Sequence, residues 1–218
     1  GVSSPCGSSN VLESLGYRFP QTPDEARRLF ERKGSVFLHA PFFHPAMRNV
    51  ASVRSALGVR TLFNIMGPLR NPASPTHQMT GTFDLRTQRL YAWCMERMGI
   101  HGAVVHSLDG HDEIALTSDV RVYSTRRHFH KVTVADFGLT PIEPDALSGA
   151  PTPEENGRLL RNILQGEGTV SQRRVVAANA AMALTVWDVD SNLAEAFSKA
   201  MDFLDSGRAH DHLQSLIS

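Results

Sequence analysis

Hydrophobic residues recur along the chain with two periods, and each period predicts a different kind of element. The stretch that begins at Ala103 is aliphatic without alternation, which predicts a short strand buried on both faces. Shorter apolar or alternating stretches predict further strands, the later ones antiparallel. They lie at residues 36–40, 77–83, 114–116, 120–124 and 131–134.

Apolar residues three or four positions apart predict helices between these strands and in the whole last third of the chain. Ser8, Ser9 and Asn10 are the candidate caps of the first helix, and the second begins at Thr22 with a proline in its first turn. The predicted helices run from residue 8 to 16 and 22 to 33, over 42–57, 61–66, 84–98, 153–166, 171–187 and 191–206, and from residue 209.

The helix predicted at residues 84–98 is amphipathic, and its apolar face is assigned to Leu85, Leu90, Trp93 and Met98. With the strands before and after it, this helix predicts a βαβ unit with a right-handed crossover. Strands that alternate with helices, followed by a helical tail, indicate an α/β layer fold.

Composition narrows the function classes. Among 218 residues, 22 are basic and 22 are acidic, so the net charge of zero predicts neither nucleic-acid nor membrane-surface binding. Cys6 and Cys94 have no metal-type spacing and exclude a disulfide scaffold, which favours a reducing cytoplasm. We expect no secretion signal and no membrane span, because no apolar run is long enough.

The strand that begins at Ala103 leads into a loop rich in acids and histidines, with Gly110 placed for a sharp turn. Ligands of open α/β sheets bind at the carboxyl ends of strands. Asp112 and Glu113, called the acid pair below, offer the oxygen ligands that a divalent cation prefers. A solvated acidic loop explains this short stretch equally well.

Other features add to the same hypothesis. Ser3, Ser4 and Ser8 surround a helix start, where free N–H groups suit a phosphate, although every helix needs a cap. Arg54 offers the planar fork that binds a carboxylate, and Asn179 is interpreted as a satisfied amide near the core. No nucleophile has a base beside it, and no zinc pattern occurs. Phosphoribosyl diphosphate chemistry with Mg²⁺ fits these parts, as do other phosphate ligands.

Several motifs together resemble the anthranilate phosphoribosyltransferase family, in the family's order and over the whole chain. Val-Ser-Ser-x-x-Gly-Ser-x-x-Val-Leu-Glu-x-Leu-Gly at residues 2–16 is similar to the family's loop and helix. The other matching motifs are His44-Pro45-Ala46-Met47 with Val53-Arg54, Phe63-Asn64-x-x-Gly67-Pro68-Leu69-x-Asn71-Pro72, Gly110-x-Asp112-Glu113, Gly166-Glu167-Gly168 and Asn179-Ala180-Ala181.

The resemblance implies transfer of a phosphoribosyl group from phosphoribosyl diphosphate to anthranilate, giving phosphoribosyl anthranilate and pyrophosphate in tryptophan biosynthesis. It implies Mg²⁺ on the acid pair and no catalytic side chain, because the reaction depends on positioning and charge stabilisation. The implied phosphoribosyl diphosphate site is Gly1, Val2, Ser3, Ser4 and Ser8. The implied anthranilate site is Arg54 with His44, Pro45 and Met47.

The resemblance also implies an architecture: a large α/β domain with a mostly parallel central sheet and flanking helices, and a small helical domain. Residues 1–42 and 71–218 would belong to the large domain, and residues 43–70 to the small one. The family's Gly-Thr-Gly-Gly-Asp, Asn-x-Ser-Thr and Lys-His-Gly-Asn motifs are not found in the sequence. We therefore expect a C-terminal part of a homodimeric enzyme, without the N-terminal helical segment and phosphate loop, and with little or no activity alone.

Two alternatives stay open at the level of sequence. A pyrimidine nucleoside phosphorylase has the same two-domain plan and a similar helix, but the acid pair and the segment from His44-Pro45-Ala46-Met47 to Val53-Arg54 disfavour it. A non-catalytic, nucleic-acid-binding relative of the transferase would need a basic surface, which a net charge of zero disfavours.

Overall fold

The computed structural model describes residues 7–44, 67–187 and 192–218, which form two compact units. The first unit contains the described residues up to Pro72 with residues 150–161 and 210–218. The second contains the described residues of 73–149 and 162–209. The helix predicted at 61–66, and all but the first residues of the one predicted at 42–57, lie outside the described residues. So does most of the segment 43–70, and the proposed domain division stays a prediction.

The described part of the chain contains four strands, eight α-helices and three short 3₁₀ helices. The strands are β1 His77–Gly81, β2 His101–Ser107, β3 Val120–Ser124 and β4 His128–Val132. The helices are α1 Ser8–Ser14, α2 Pro23–Lys33, α3 Ala40–Phe43, α4 Leu85–Met98, α5 Pro153–Leu164, α6 Val170–Trp187, α7 Leu193–Asp205 and α8 Arg208–Ile217. The 3₁₀ helices are Gly67–Arg70, Val134–Phe137 and Pro144–Leu147. No helix in this described part is long and apolar enough to cross a membrane.

In the first unit, α1 packs closely against α5. A Cβ added at Gly157 would lie 2.6 Å from Ser14 Oγ, so any larger residue there would have to displace the serine hydroxyl. The Ser14 hydroxyl also donates to the Pro153 carbonyl at 3.1 Å. The cap of α1 is Gly7, one residue before the predicted candidates. Thr22 caps α2 as predicted and accepts a hydrogen bond from the Glu25 N–H at 3.2 Å.

In the second unit, the strands form one mixed sheet in the order β1-β2-β3-β4. β1 and β2 are parallel and joined by α4, which confirms the predicted βαβ connection, and Gly81 lies opposite Val105 in their register. The pairs β2–β3 and β3–β4 are antiparallel, as the alternating sequence predicted. The α/β fold is confirmed; in the described sheet the parallel pairing is confined to β1 and β2.

Helices cover both faces of β2, so this strand is almost completely buried. Ala103 and Val105 on one face join a core that includes Val175 and Ala178 of α6, together with residues of α7. On the other face, Gln88 of α4 donates from Nε2 to the Val104 carbonyl at 2.9 Å. Burial on both faces explains the aliphatic run without alternation that begins at Ala103.

The predicted apolar face of α4 is wrong. Its four predicted members, Leu85, Leu90, Trp93 and Met98, have exposed fractions between 38% and 53%. The helix instead buries a stripe at positions i, i+3, i+4 and i+7, which consists of Gln88, Tyr91, Ala92 and Met95. A count of apolar residues does not reveal this stripe, because Gln88 is polar. The buried amide of Gln88 is satisfied by two strand carbonyls.

Two predicted strands are absent from the described residues. Residues 36–39 belong to no helix or strand, and residues 114–116 form a buried loop segment. In the loop segment, Ile114, Ala115 and Leu116 are each fully buried. Their apolar character therefore reflects burial in the core beside the sheet and not a place in the sheet.

Candidate functional site

The acid pair lies in the loop of residues 108–119, called the acid loop below, which connects β2 to β3. β1 and β2 are parallel, so the loop leaves the edge of the sheet where the carboxyl ends of both strands lie. Gly110 has φ +104° and its N–H donates to the Ser107 carbonyl at 2.9 Å, which forms the predicted sharp turn.

The first acid of the loop, Asp109, is used by the loop itself. Its carboxylate contacts His111 Nδ1 at 3.0 Å and accepts a hydrogen bond from the Thr117 hydroxyl. Partial burial alone would raise the pKa of Asp109, but hydrogen bonds from His111, Thr117 and Ser118 lower it to about 2. Asp109 is therefore a structural carboxylate that folds the loop.

The acid pair has a different environment. Both residues are exposed, and within the described residues neither carboxylate takes part in a hydrogen bond or an ion pair. Partial desolvation of its carboxyl group, and then the charge of Asp112, raise the pKa of Glu113, while His111 opposes the rise. A cation bound beside the pair would offset the unfavourable effect of the Asp112 charge on Glu113.

Side chains from outside the acid loop hold the backbone that follows the acid pair. The Ser107 hydroxyl donates to the Glu113 carbonyl at 2.6 Å and accepts from the Ala115 N–H at 3.3 Å. Asn179 accepts from the Ile114 N–H at 3.0 Å and donates to the Ile114 carbonyl at 2.9 Å. Consecutive backbone groups from the Glu113 carbonyl to the Ala115 N–H are therefore bound by two side chains.

The last residue of β1 also contacts the loop. A Cβ added to Gly81 would lie 1.4 Å from the carbonyl oxygen of Asp112, so the backbones of the two residues are in direct contact. Only glycine permits this approach. The acid loop thus rests on the end of β1, while Ser107 at the end of β2 and Asn179 on α6 hold its other side.

Asn179 and Ser107 are the residues whose importance the sequence shows least. The sequence predicts a satisfied amide at Asn179, and its three hydrogen bonds, to Ile114 and the Val175 carbonyl, confirm that. It gives no sign that the partner is the acid loop, because residues 114 and 179 are far apart in the chain. Ser107 shows only as a polar residue at the end of an apolar strand.

The other predicted site residues belong to the first unit or lie outside the described residues. Ser8 is the first residue of α1 and is exposed. His44 ends α3, is half-buried, and donates its N–H to the Ala40 carbonyl at 3.0 Å. Gly1 to Ser4, Pro45, Met47 and Arg54 lie outside the described part of the chain.

The acid pair fits Mg²⁺ in its chemistry, although it supplies few ligands. Among the described residues, no three acidic, histidine or cysteine side chains converge as a metal site. Mg²⁺ is often bound by one or two carboxylates, with water and substrate phosphate oxygens completing its shell. Two exposed carboxylates at a strand end match that pattern.

Comparison with known proteins assigns the chain to a family. The sequence model of the glycosyl transferase family, a/b domain, matches residues 1–210. The anthranilate phosphoribosyltransferase of Cytophaga hutchinsonii is 41% identical over 210 residues, which cover 96% of this chain and 64% of that protein. That of Christiangramia forsetii is 38% identical over 218 residues, which cover 99% of this chain and 65% of that protein. The chain spans less than two thirds of the length of both relatives.

Solved structures agree with this assignment. The crystal structure of anthranilate phosphoribosyltransferase from Thermus thermophilus superposes on this chain with a TM-score of 0.90 at 36% identity. The superposition covers 100% of this chain and 65% of the Thermus thermophilus chain. The Saccharomyces cerevisiae enzyme, in complex with PRPP and Mg, superposes with a TM-score of 0.87 at 25% identity, over 97% of this chain and 60% of that one. The fold, the matched span and the relatives together place the chain in the glycosyl transferase family, as its α/β domain.

Proposed function

We propose that the protein to which this chain belongs is an anthranilate phosphoribosyltransferase of tryptophan biosynthesis. It transfers the phosphoribosyl group of phosphoribosyl diphosphate to anthranilate and releases pyrophosphate. The observation that carries the proposal is the exposed acid pair, held at the carboxyl end of a parallel strand in a chain whose relatives bear that enzyme's name. Those names do not favour the nucleoside phosphorylase or the nucleic-acid-binding alternative.

Mg²⁺ is the proposed metal, and Asp112 and Glu113 are its proposed protein ligands. The support is the donor chemistry of the pair and the Saccharomyces cerevisiae relative solved with PRPP and Mg. The bound metal would neutralise charge on the departing pyrophosphate. The acid loop supplies a fixed backbone for the pair, because Ser107, Asn179 and Gly81 hold it from three elements.

The substrate residues are proposed from the family motifs. Gly1, Val2, Ser3, Ser4 and Ser8 would bind phosphoribosyl diphosphate through backbone N–H groups and hydroxyls. Arg54 would bind the anthranilate carboxylate, with His44, Pro45 and Met47 beside the aromatic ring. A complex of a relative with 4-fluoroanthranilate, from Saccharomyces cerevisiae, supports an aromatic acid as the second substrate.

The proposed reaction needs no covalent intermediate on the protein. The anthranilate nitrogen forms a bond to the anomeric carbon, the bond to the pyrophosphate oxygen breaks, and the nitrogen loses a proton. Binding both substrates in a reactive orientation and stabilising the charge of pyrophosphate supply the rate enhancement. The two-domain division at residues 43–70, a homodimer and a cytoplasmic location are further parts of the proposal.

The test is a steady-state assay of the chain that the complete gene encodes, with anthranilate, phosphoribosyl diphosphate and Mg²⁺. We expect anthranilate consumption to match pyrophosphate release, and the 218-residue chain alone to show little or no turnover. Phosphorolysis of thymidine or uridine in place of this reaction would refute the proposal. So would the absence of anthranilate-dependent pyrophosphate release.

Variants of the acid pair locate the metal. Asp112→Asn and Glu113→Gln should each lower kcat/KM by about 100-fold, since charge stabilisation by a metal contributes several kcal/mol and ~1.4 kcal/mol is tenfold. Both should raise the Mg²⁺ concentration needed for half-maximal activity. Asp202→Asn on α7 removes one exposed carboxylate elsewhere and is the matched control, expected to behave as the unsubstituted enzyme.

A further inference from the structure

We propose that Asn179 and Ser107 are positioning residues that set the cation affinity of the acid pair. Neither residue would touch the metal or the substrates. They would act by fixing the backbone between Glu113 and Ala115, and with it the directions in which the two carboxylates leave the chain. This inference rests on the proposed metal-binding role of Asp112 and Glu113.

Side chains, and not a neighbouring strand, support the backbone of the acid loop after the acid pair. The backbone groups from the Glu113 carbonyl to the Ala115 N–H have side-chain partners at 2.6 to 3.3 Å, where a strand would have a neighbouring strand. The segment immediately after the exposed acid pair is thus immobilised, although it belongs to no sheet. A fixed backbone holds two adjacent ligands in one relative orientation.

Asn179 has no spare donor. Its Oδ1 accepts from Ile114, one hydrogen of Nδ2 binds the Ile114 carbonyl, and the other binds the Val175 carbonyl at 2.9 Å. The bond to Val175 fixes the rotation of the amide, because Val175 lies one turn earlier on the same helix. An amide used in this way can orient the loop but cannot donate to a substrate.

The two side chains are carried by rigid elements. Val175 and Ala178 of α6 are in the hydrophobic core, and Ser107 is fully buried at the end of β2. The anchors therefore belong to packed elements, while the acid pair is exposed on the loop. Residues that orient metal ligands in this way commonly affect metal affinity by about 10-fold to 100-fold when they are substituted.

The experiment measures Mn²⁺ binding to the chain that the complete gene encodes by water-proton relaxation, with Mn²⁺ alone as the probe. Asn179→Leu keeps the branched shape of the side chain but removes all three hydrogen bonds. Ser107→Ala is a smaller change that removes the second anchor and remains informative if the leucine variant does not fold. We expect each to weaken Mn²⁺ binding by about 10-fold. Amide exchange should also accelerate at Ile114 in the first variant and at Ala115 in the second.

Asn156 offers a matched control, because it makes the same kind of two-point contact with a different loop. It accepts from the Ala150 N–H at 3.0 Å and donates to the Ala150 and Thr152 carbonyls at 2.7 and 2.8 Å. Asn156→Leu should destabilise that loop and leave Mn²⁺ affinity unchanged. An equal loss of affinity in this control would mean general destabilisation and would overturn the proposal.

Two further outcomes separate this inference from the proposed function. If Asp112→Asn abolishes Mn²⁺ binding while Asn179→Leu and Ser107→Ala bind Mn²⁺ normally, the positioning role is wrong and the metal site stands. If Mn²⁺ binding of the unsubstituted chain does not depend on Asp112 or Glu113, the proposed metal site fails and this inference fails with it.

Discussion

The hydroxyl of Tyr17 takes the place of a neighbouring strand for Phe37. It accepts a hydrogen bond from the Phe37 N–H at 3.0 Å and donates one to the Phe37 carbonyl at 3.2 Å. Tyr17 has an exposed fraction of only 2%, and burial raises the pKa of its hydroxyl. One side chain thus satisfies both backbone groups of a residue in the irregular segment that follows α2.

Tyr17→Phe should therefore release the segment at Phe37 without disturbing the packing of the ring. Losing a hydrogen bond and leaving its partner unsatisfied costs about 1–3 kcal/mol when the partner is buried. We expect faster amide exchange at Phe37 and a lower thermal midpoint of the first unit. Hydrogen exchange followed by mass spectrometry checks the first effect, and thermal unfolding checks the second.

Phe19→Leu is the matched control for this variant. The ring of Phe19 packs edge-on against Tyr17, with centroids 5.0 Å apart, and does not bond Phe37. Its loss should lower stability but leave the exchange of the Phe37 amide slow. Equal exchange rates at Phe37 in the two variants would contradict the role given to the hydroxyl.

The same residues show where prediction from sequence ends. The apolar residues at 36–38 predicted a strand, but a strand needs a pairing partner, which a local pattern does not contain, and this segment is not part of the described sheet. The hydrophobic pattern found β2 because that strand is almost completely buried, and it found the helix before β2 because that helix is long. It assigned the wrong face of α4 because that helix buries a glutamine and exposes a tryptophan.

The face of α4 gives a second prediction. Gln88 has an exposed fraction of 1%, and its Nε2 donates to the Val104 and Arg121 carbonyls at 2.9 and 2.8 Å. Gln88→Met has a similar volume but removes both bonds, so it should lower the free energy of unfolding of the second unit by about 1–3 kcal/mol. Trp93→Gln on the exposed face should change it by no more than about 0.5 kcal/mol.

Urea unfolding of the two variants, followed by circular dichroism, measures this difference. The order of the effects is the decisive observation, because the apolar pattern alone predicts that the tryptophan variant is the damaging one. A larger loss of stability in Trp93→Gln than in Gln88→Met would show that α4 does not bury the face that contains Gln88.

The candidate site was predictable only where its residues are close in sequence. Asp112, Glu113 and the turn at Gly110 form one motif, and its position after a buried strand could be read locally. The contacts with Gly81 and Asn179 depend on the packing of the loop against β1 and α6. These residues are far apart in the sequence and meet only in the folded chain, so a single sequence does not reveal their contacts.

The contact between Gly81 and Asp112 gives a third prediction. A methyl group at Gly81 would overlap the Asp112 carbonyl, and neither backbone can turn away as a flexible side chain would. Gly81→Ala should therefore displace the acid loop, weaken Mn²⁺ binding and accelerate amide exchange over residues 111–115. The measurements are the same relaxation and exchange experiments that test the anchors of the loop.

Gly102→Ala provides a control with a similar clash at the other end of the same strand pair. Its added Cβ would lie 2.0 Å from the carbonyl oxygen of Gln78, its partner in the parallel register. Both variants should lower the thermal midpoint, but only Gly81→Ala should change exchange in the acid loop. Normal Mn²⁺ affinity in Gly81→Ala would show that the contact with β1 does not hold the acid pair in place.

The low pKa of Asp109 gives a fourth prediction, which concerns stability at acidic pH. Its carboxyl group has an ordinary value of 3.8 and is lowered to about 2 by hydrogen bonds from His111, Thr117 and Ser118, against partial burial that would raise it. The unfolded chain therefore binds more protons than the folded chain between these values, so stability rises with pH there. The contribution of Asp109 is complete above its ordinary pKa and is lost as the pH falls through about 2.

Carbon-13 NMR of the Asp109 carboxyl group should give a titration midpoint near 2, and protection of the acid-loop amides should fall over the same range. In Asp109→Asn, stability measured by urea unfolding should lose this part of its pH dependence, because the titrating group is gone. The variant should also be less stable than the unsubstituted chain near neutral pH, since an amide bonds His111 and Thr117 without a charge. A midpoint at or above the ordinary value would show that these three neighbours do not hold the carboxylate, and that Asp109 is as free as the acid pair.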